Sequence, residues 1–303
     1  MRRALRRIRV GLLAAGASGW LLAAPAAHAQ NPTFVSPDIT ARLGAAATTV
    51  TDDDAAADNA AGTVTPVLLT MLGAAVPSNV EIAGLELSRT QAPALALDIT
   101  TPLPGLAAPA EPRDVVAWNA NTSTFSLLFD GAAAGVPPNV KIDAVSFGPT
   151  GALRLSFDTT VSLPIVGTVQ DEDLVEVVAG GFVMVFDGSA NGIAPGLDLD
   201  AASRPSETSS QLLLSFDGSG IVAGIPFDDE DTLLFDPGTG TWAMWNDASL
   251  SDPANYPRVD VVALPEPGTL LSLLAGIGLL SWLVRRPPAG AGAEERQTRS
   301  DQT

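Results

Sequence analysis

Cysteine is absent from this 303-residue chain, and histidine and tyrosine occur once each, as His28 and Tyr256; the sole lysine is Lys141. Without cysteine there is no disulfide, no thiolate nucleophile and no thiolate metal site. His28 falls in a leader segment, so the domain beyond it has no imidazole. Serine-histidine triads and histidine-ligated zinc are excluded, and a single lysine leaves little scope for Schiff-base chemistry. Positive charge is also scarce. Between Gln30 and Pro267 the basic residues are Arg42, Arg89, Arg113, Lys141, Arg154, Arg204 and Arg258, against 31 acids, a net of about −24. Such a surface repels phosphate backbones and anionic lipids, which excludes a nucleic-acid partner, and it attracts cations. Carboxylates are the only acid-base groups present in number.

Sustained helical periodicity is missing between Gln30 and Leu264. The two ends differ from this middle. "MRRALRRIR" carries five arginines and no acid, "GLLAAGASGWLLAA" is apolar, and Ala27-His28-Ala29 precedes Gln30. That order is a secretory signal peptide over residues 1–29, with Ala27 and Ala29 as the small residues of a cleavage site before Gln30. Signal peptidase is therefore an expected partner.

The middle, residues 30–264, repeats itself. "FSLLFDG" (125–131) returns as "FVMVFDG" (182–188) and loosely as "WAMWND" (242–247), and "VPSNVEI" (76–82) returns as "VPPNVKI" (136–142). "LRLSFDT" matches "LLLSFDG", "DEDLVEV" matches "DEDTLLF", and "KIDAVSF" has partners in "DLDAASR" and "RVDVVAL". A unit of about sixty residues is thus written several times. Each holds four short runs rich in Val, Leu and Phe, separated by Gly, Pro, Asp and Asn, the marks of β-strands. In Phe-Asp-Gly, glycine admits positive φ and aspartate caps a turn, so the chain reverses there. The expected fold is all-β. Four antiparallel strands per unit suggest the blade of a small β-propeller of about four units, closed by the terminal half-units. A β-solenoid or sandwich of the same repeats is the alternative. In the unit taken to begin with Phe-Ser-Leu-Leu-Phe-Asp-Gly, that run is the first strand and the acidic run opens the fourth.

Acids gather at those fourth-strand entrances: Asp52, Asp53 and Asp54; Asp171, Glu172 and Asp173; and Asp228, Asp229, Glu230 and Asp231. Arg113-Asp114 occupies the equivalent place in the remaining unit. The simple reading is solvated turns that also discourage edge pairing between molecules. The functional alternative is calcium, whose hard-oxygen chemistry these residues suit, at Asp228, Asp229, Glu230, Asp231, Asp171, Glu172 and Asp173. No other cofactor is implied. The run is consecutive and lacks the alternating spacing of an EF-hand loop. A glycosidase-like carboxylate pair is the one enzyme chemistry that needs no histidine. Because these acids recur with the fold, no catalytic residue is assigned and a non-enzymatic role is expected. Trp118, Trp242 and Trp245 could stack on sugars but are read first as packing. Three residues apart in a strand, Trp242 and Trp245 point to opposite faces.

Near the C-terminus Pro265-Glu266-Pro267 precedes an uncharged run over 268–284, followed by Arg285 and Arg286. Seventeen residues span about 25 Å as a helix, enough to cross a bilayer at the short limit. Basic residues after the span stop transfer and stay cytoplasmic. The prolines fix φ and remove amide donors, holding Glu266 in an extended segment before the membrane. Residues 265–286 resemble the PEP-CTERM sorting signal of Gram-negative bacteria, departing from it at Gly268 and in a tail of 17 residues, 287–303, expected to be disordered and cytoplasmic. The resemblance implies recognition by exosortase, a membrane cysteine protease, at the inner membrane. Delivery to the cell envelope or a polysaccharide matrix would follow. The acidic Phe-Asp-Gly and Asp-Glu-Asp repeats are similar to those of other PEP-CTERM proteins. The expectation is an exported structural or adhesive protein. The alternatives are a carboxylate-dependent glycoside-active enzyme and a periplasmic domain that stays anchored.

Overall fold

The computed structural model describes residues 33–35, 41–44, 46–51, 54–58, 63–66, 76–87 and 91–248. The signal peptide, the closing run "RVDVVAL", the Pro-Glu-Pro segment, its apolar run and the tail lie outside these residues, as do Asp52 and Asp53. Among the described residues no helix is long and apolar enough to cross a membrane.

The chain is all-β, and its sheets are antiparallel and open. Three four-stranded sheets follow one another, each a meander in chain order. The first holds β6 (Ile82–Glu86), β7 (Ala94–Leu97), β8 (Val115–Asn119) and β9 (Thr124–Phe129). The second holds β10 (Ile142–Phe147), β11 (Leu153–Phe157), β14 (Leu174–Val178) and β15 (Gly181–Phe186). The third holds β16 (Ala201–Ser203), β17 (Leu212–Ser215), β20 (Thr232–Asp236) and β21 (Thr241–Asn246). Before them, β1 (Thr33–Val35), β4 (Ala56–Asp58) and β5 (Val64–Pro66) form a three-stranded sheet in that order.

The four strands per unit are present, but their phase differs from the expected one. "FSLLFDG" and "FVMVFDG" supply the last strand of a sheet, and the acidic runs stand at the start of the third strand. A repeat fixes a period and leaves the cut between units free. Burial explains where the cut falls. The second strands β7 and β17 are buried at every position, whereas β9 exposes Ser126, Leu127 and Leu128. A strand buried on both faces reads as a continuous apolar run, and one that meets solvent carries exposed positions. The first strands are inward: β10 lies against both β6 and β16.

Between second and third strands the second and third sheets insert a hairpin that the repeats did not reveal. These are β12 (Val161–Leu163) with β13 (Gly167–Val169), and β18 (Gly220–Val222) with β19 (Ile225–Phe227). β2 (Ala41–Leu43) and β3 (Thr48–Val50) form the same insertion in the N-terminal unit, and the first sheet has only a bridge between Thr101 and Ala110. Each strand is three residues long, too short for a period to register. The β12–β13 hairpin spans the height of its sheet, because the Phe182 N–H at the far end donates to the Pro164 carbonyl at 3.1 Å.

The core lies between sheets. One apolar cluster joins Ala94, Val115 and Phe129 of the first sheet to Ile142, Phe157 and Phe182 of the second. Another joins Leu174 and Phe186 of the second to Leu212, Phe216 and Phe235 of the third. A third joins Leu43, Val50 and Val64 of the N-terminal unit to Leu213 and Ala248 of the third sheet, while Ala55 joins the cluster of the first. Each buried Phe or Leu contributes about 1.5–3 kcal/mol.

Candidate functional site: the acidic turns

The aspartate before the third strand of each four-stranded sheet is a structural pin. Asp173 Oδ2 accepts the Gln170 N–H at 2.9 Å, and its Oδ1 accepts the Gly188 N–H at 2.9 Å. Asp231 takes the N–H groups of Asp228 and Ala248 at 3.0 and 3.2 Å. Asp114 takes those of Glu111 and Gly131 at 2.9 and 3.0 Å. One carboxylate thus closes the turn before the third strand and ties it to the residue after the fourth. All three are buried. The first sheet keeps the pin at Asp114 and changes the two residues before it, Pro112-Arg113 standing where the other sheets have Asp-Glu.

That preceding position is buried as Glu172 and Glu230, and held as Arg113 in the first sheet. Arg113 pairs with Glu111 at 2.6 Å and donates from Nη1 to the Val136 carbonyl at 2.8 Å. Among the described residues Glu172 Oε1 and Glu230 Oε2 have no hydrogen-bond partner, and each glutamate has an acid beside it, Asp171 or Asp229. Burial first, and the neighbouring acid second to the opposing backbone hydrogen bond, raise Glu172 above the ordinary carboxyl range. Burial followed by the Asp229 hydrogen bond raises Glu230 to about 8. Asp231 is pushed to about 7 by burial, against the N–H groups that favour its charged form.

The glycine of Phe-Asp-Gly has a different reason from the expected one. Gly188 has φ −59°, an ordinary value. A Cβ there would lie 2.4 Å from Glu172 Cγ and 2.6 Å from the Glu172 carbonyl oxygen. At Gly131 a Cβ would collide with the Arg113 carbonyl. Glycine lets the chain after the fourth strand approach the acidic turn and be pinned. The aspartate acts as expected: Asp130 Oδ1 accepts the Ala133 N–H, capping α1 (Gly131–Ala134), and Asp187 Oδ1 accepts the Ala190 N–H, each at 2.8 Å.

A second set of acids, not singled out in the sequence, clamps first strands to second strands. Asp98, Asp158 and Asp217 accept the N–H groups of Glu81, Lys141 and Asp198 at 2.9, 2.7 and 2.7 Å. Each returns its own N–H to the same residue's carbonyl. The signal was the aspartate closing "LALD", "LRLSFD" and "LLLSFD". Around these clamps the carboxyls crowd. Asp143 is raised to about 9, by burial first and then by Asp198 and Asp158, with Lys141 opposing. Asp198 is raised to about 8, by burial, Asp217 and Asp171. Asp143 Oδ2 and Asp198 Oδ1 have no partner among the described residues. This region holds protons at neutral pH. Among the described residues no group of three or more acids stands in metal-holding geometry.

Trp242 and Trp245 do face opposite ways, into the clusters on either side of the third sheet. Trp242 packs at a tilt against Phe235, ring centroids 4.7 Å apart, and donates to the Asn191 carbonyl at 3.1 Å, and Trp118 lies 4.8 Å from Phe125. A cavity of about 520 Å³ on the first sheet is lined by Leu106, Pro109, Phe125 and Leu127.

No protein family model matches the chain, and no curated protein does. Among solved structures, two of the extracellular domain of a B. thetaiotaomicron signalling protein, described as a hybrid two-component and as a one-component system, align at 8% and 10% identity. They cover 65% and 72% of this chain, with TM-scores of 0.31 and 0.32. The tricorn protease aligns at 11% identity over 71%, with a TM-score of 0.30. The chain spans about a quarter of the length of these proteins: 25%, 28% and 26%. At these scores the likeness carries no functional assignment.

Proposed function

We propose that this is an exported, non-catalytic repeat protein of the cell envelope or extracellular matrix, a small propeller-like ring delivered by its C-terminal sorting segment. The observation that carries the non-catalytic reading is the repetition of carboxylate roles. Asp114, Asp173 and Asp231 each accept the same two kinds of backbone N–H, and Asp98, Asp158 and Asp217 each form the same clamp. A catalytic carboxylate pair is a single asymmetric arrangement, whereas these recur with the architecture. The acidic surface favours a hydrated matrix and stays soluble there.

Export rests on the signal peptide, and processing on Pro265-Glu266-Pro267 ahead of the apolar run and Arg285-Arg286. Intact mass and fractionation from the native host, with and without exosortase, test it. A species ending near Pro265 to Gly268 outside the inner membrane, lost without exosortase, is the expected result. A full-length inner-membrane species in both strains would make the segment a permanent anchor. Calcium belongs to the proposal only through the acids that do not serve as pins, Asp171, Glu172, Asp228, Asp229 and Glu230. It should then raise Tm, with chelation reversing the rise, and an unchanged Tm at millimolar calcium removes it.

A further inference from the structure

The first sheet departs from its neighbours most in the segment between its second and third strands. In the second sheet that segment pairs Val161 with Val169, Ser162 with Thr168 and Leu163 with Gly167, and in the third it pairs Gly220 with Phe227, Ile221 with Pro226 and Val222 with Ile225. In the first the ladder stops at Thr101 and Ala110, which exchange both N–H groups at 2.8 and 2.9 Å. Three of the eight residues between them are proline, Pro102, Pro104 and Pro109, against one of the seven between Val161 and Val169. Proline fixes φ at about −65° and has no amide to donate, so the chain arches where the other units zip. The arch is held at its base by the bridge between Thr101 and Ala110. At its tip the Phe125 N–H donates to the Pro104 carbonyl at 2.7 Å. Gly105, at φ 95°, comes so close to β9 that a Cβ there would lie 2.7 Å from the Phe125 carbonyl oxygen.

Between the arch and β9 lies the cavity of about 520 Å³. Leu106 packs on the core beneath it and Phe125 is buried, while Leu127 is 47% exposed. Met184 and Met244, at the place of Leu127 in the other two sheets, are half-buried. Repetition marks architecture in this protein, and here the departure from repetition opens apolar surface to a ligand. The rim carries Glu111, Asp114 and Asp130. Arg113 neutralises Glu111 at 2.6 Å, and Asp114 spends both oxygens on backbone N–H groups. Asp130 is exposed and gives Oδ1 to the Ala133 N–H, which leaves Oδ2 without a protein partner among the described residues. An apolar pocket with one uncommitted carboxylate at its edge selects an apolar body that carries positive charge, and the surplus of acids around it draws such a molecule in. We infer that this cavity binds a small organic cation, an ammonium group on an apolar body the size of an aromatic ring. Leu106, Phe125 and Leu127 meet the body, and Asp130 meets the charge. The site goes beyond the envelope role proposed above and does not depend on it.

Full-length chain in nanodiscs is titrated with phenethylammonium, phenethyl alcohol and 3-phenylpropionate and followed by ligand-observed NMR, with empty nanodiscs as the blank. The ammonium should bind saturably and about fivefold tighter than the alcohol, and the carboxylate should not bind. Ser126 is exposed and lines the cavity, so Ser126→Trp fills it from the solvent side and should abolish binding of both. Asp130→Asn keeps the helix cap, since asparagine caps as well as aspartate, and should weaken the ammonium about threefold while leaving the alcohol unchanged. Asp187 caps in the same way in the second sheet, where the paired hairpin replaces the arch, so Asp187→Asn is the matched control and should change nothing. Ammonium binding that survives Ser126→Trp, or that Asp187→Asn weakens as much as Asp130→Asn does, overturns the inference, because the cation is then held by the acidic surface at large. Equal binding of the three probes overturns the choice of a cation. A titration with no saturable binding of the ammonium overturns the site itself.

Discussion

Asp173 and Asp130 are both aspartates at turns, yet they differ in what they hold. Asp130 is exposed and caps one N–H of a short helix, whereas Asp173 is 2% exposed and accepts two N–H groups fifteen residues and three residues away. A capping aspartate contributes about 1 kcal/mol. A buried charged acceptor with two donors leaves both unsatisfied when removed, at about 2–5 kcal/mol. Urea denaturation of Asp173→Ala should show the larger loss and Asp130→Ala the smaller. Equal losses would mean that Asp173 is no pin. The acids were legible in the sequence as runs, but their roles were not. Consecutive aspartates look alike as charge, and only the fold shows which one has its oxygens consumed by backbone. The glycine of Phe-Asp-Gly was similarly legible as a turn residue. The reason for it, close approach to Glu172, needs a neighbour sixteen positions away.

At the scale of elements, the inserted hairpins carry the local strain. Ile165 at the tip of β12–β13 has φ 70° and is 69% exposed. The left-handed region costs a β-branched residue about 1–2 kcal/mol, and asparagine tolerates it. Ile165→Asn should raise stability by about 1 kcal/mol in thermal or urea melts. Ile221, equally exposed in β18 at an ordinary φ, should respond to the same substitution by less than about 0.5 kcal/mol. A rise at both positions would point to exposed apolar surface as the cause in place of backbone strain. The strands of the main sheets were visible beforehand because apolar runs of five or six residues flanked by Gly, Pro and Asp have few other readings. The hairpins were not, being three-residue strands around Pro-Ile-Val-Gly and Ala-Gly.

Across the whole molecule, buried carboxyls set the pH response. Asp143, Asp198 and Glu230 rise from ordinary values of 3.8, 3.8 and 4.5 to about 9, 8 and 8 on folding. A carboxyl whose folded value is raised binds its proton more tightly in the native state, so its stabilisation is complete below the unfolded value and is lost as pH rises through the folded one. The melting temperature should therefore fall steadily between pH 5 and pH 9. A flat or rising profile in calorimetry would show these carboxyls ionised in the folded protein. The all-β class and the sixty-residue period were available from sequence, and the phase of the sheets was not. "KIDAVSF" and "FSLLFDG" recur equally well, and which begins a sheet depends on which strand is buried on both faces.

Because three of the apolar clusters join residues of successive sheets, each unit between them presents half of an interface on either side. A gene segment of one period, duplicated in tandem, arrives with both halves already matched to its neighbours. The chain can lengthen by whole units without inventing a new contact, whichever codon the duplication starts from. Divergence is then concentrated in the residues that the interfaces do not use. Arg113 in place of a buried glutamate is such a change: the pin beside it is retained while its own charge is reversed.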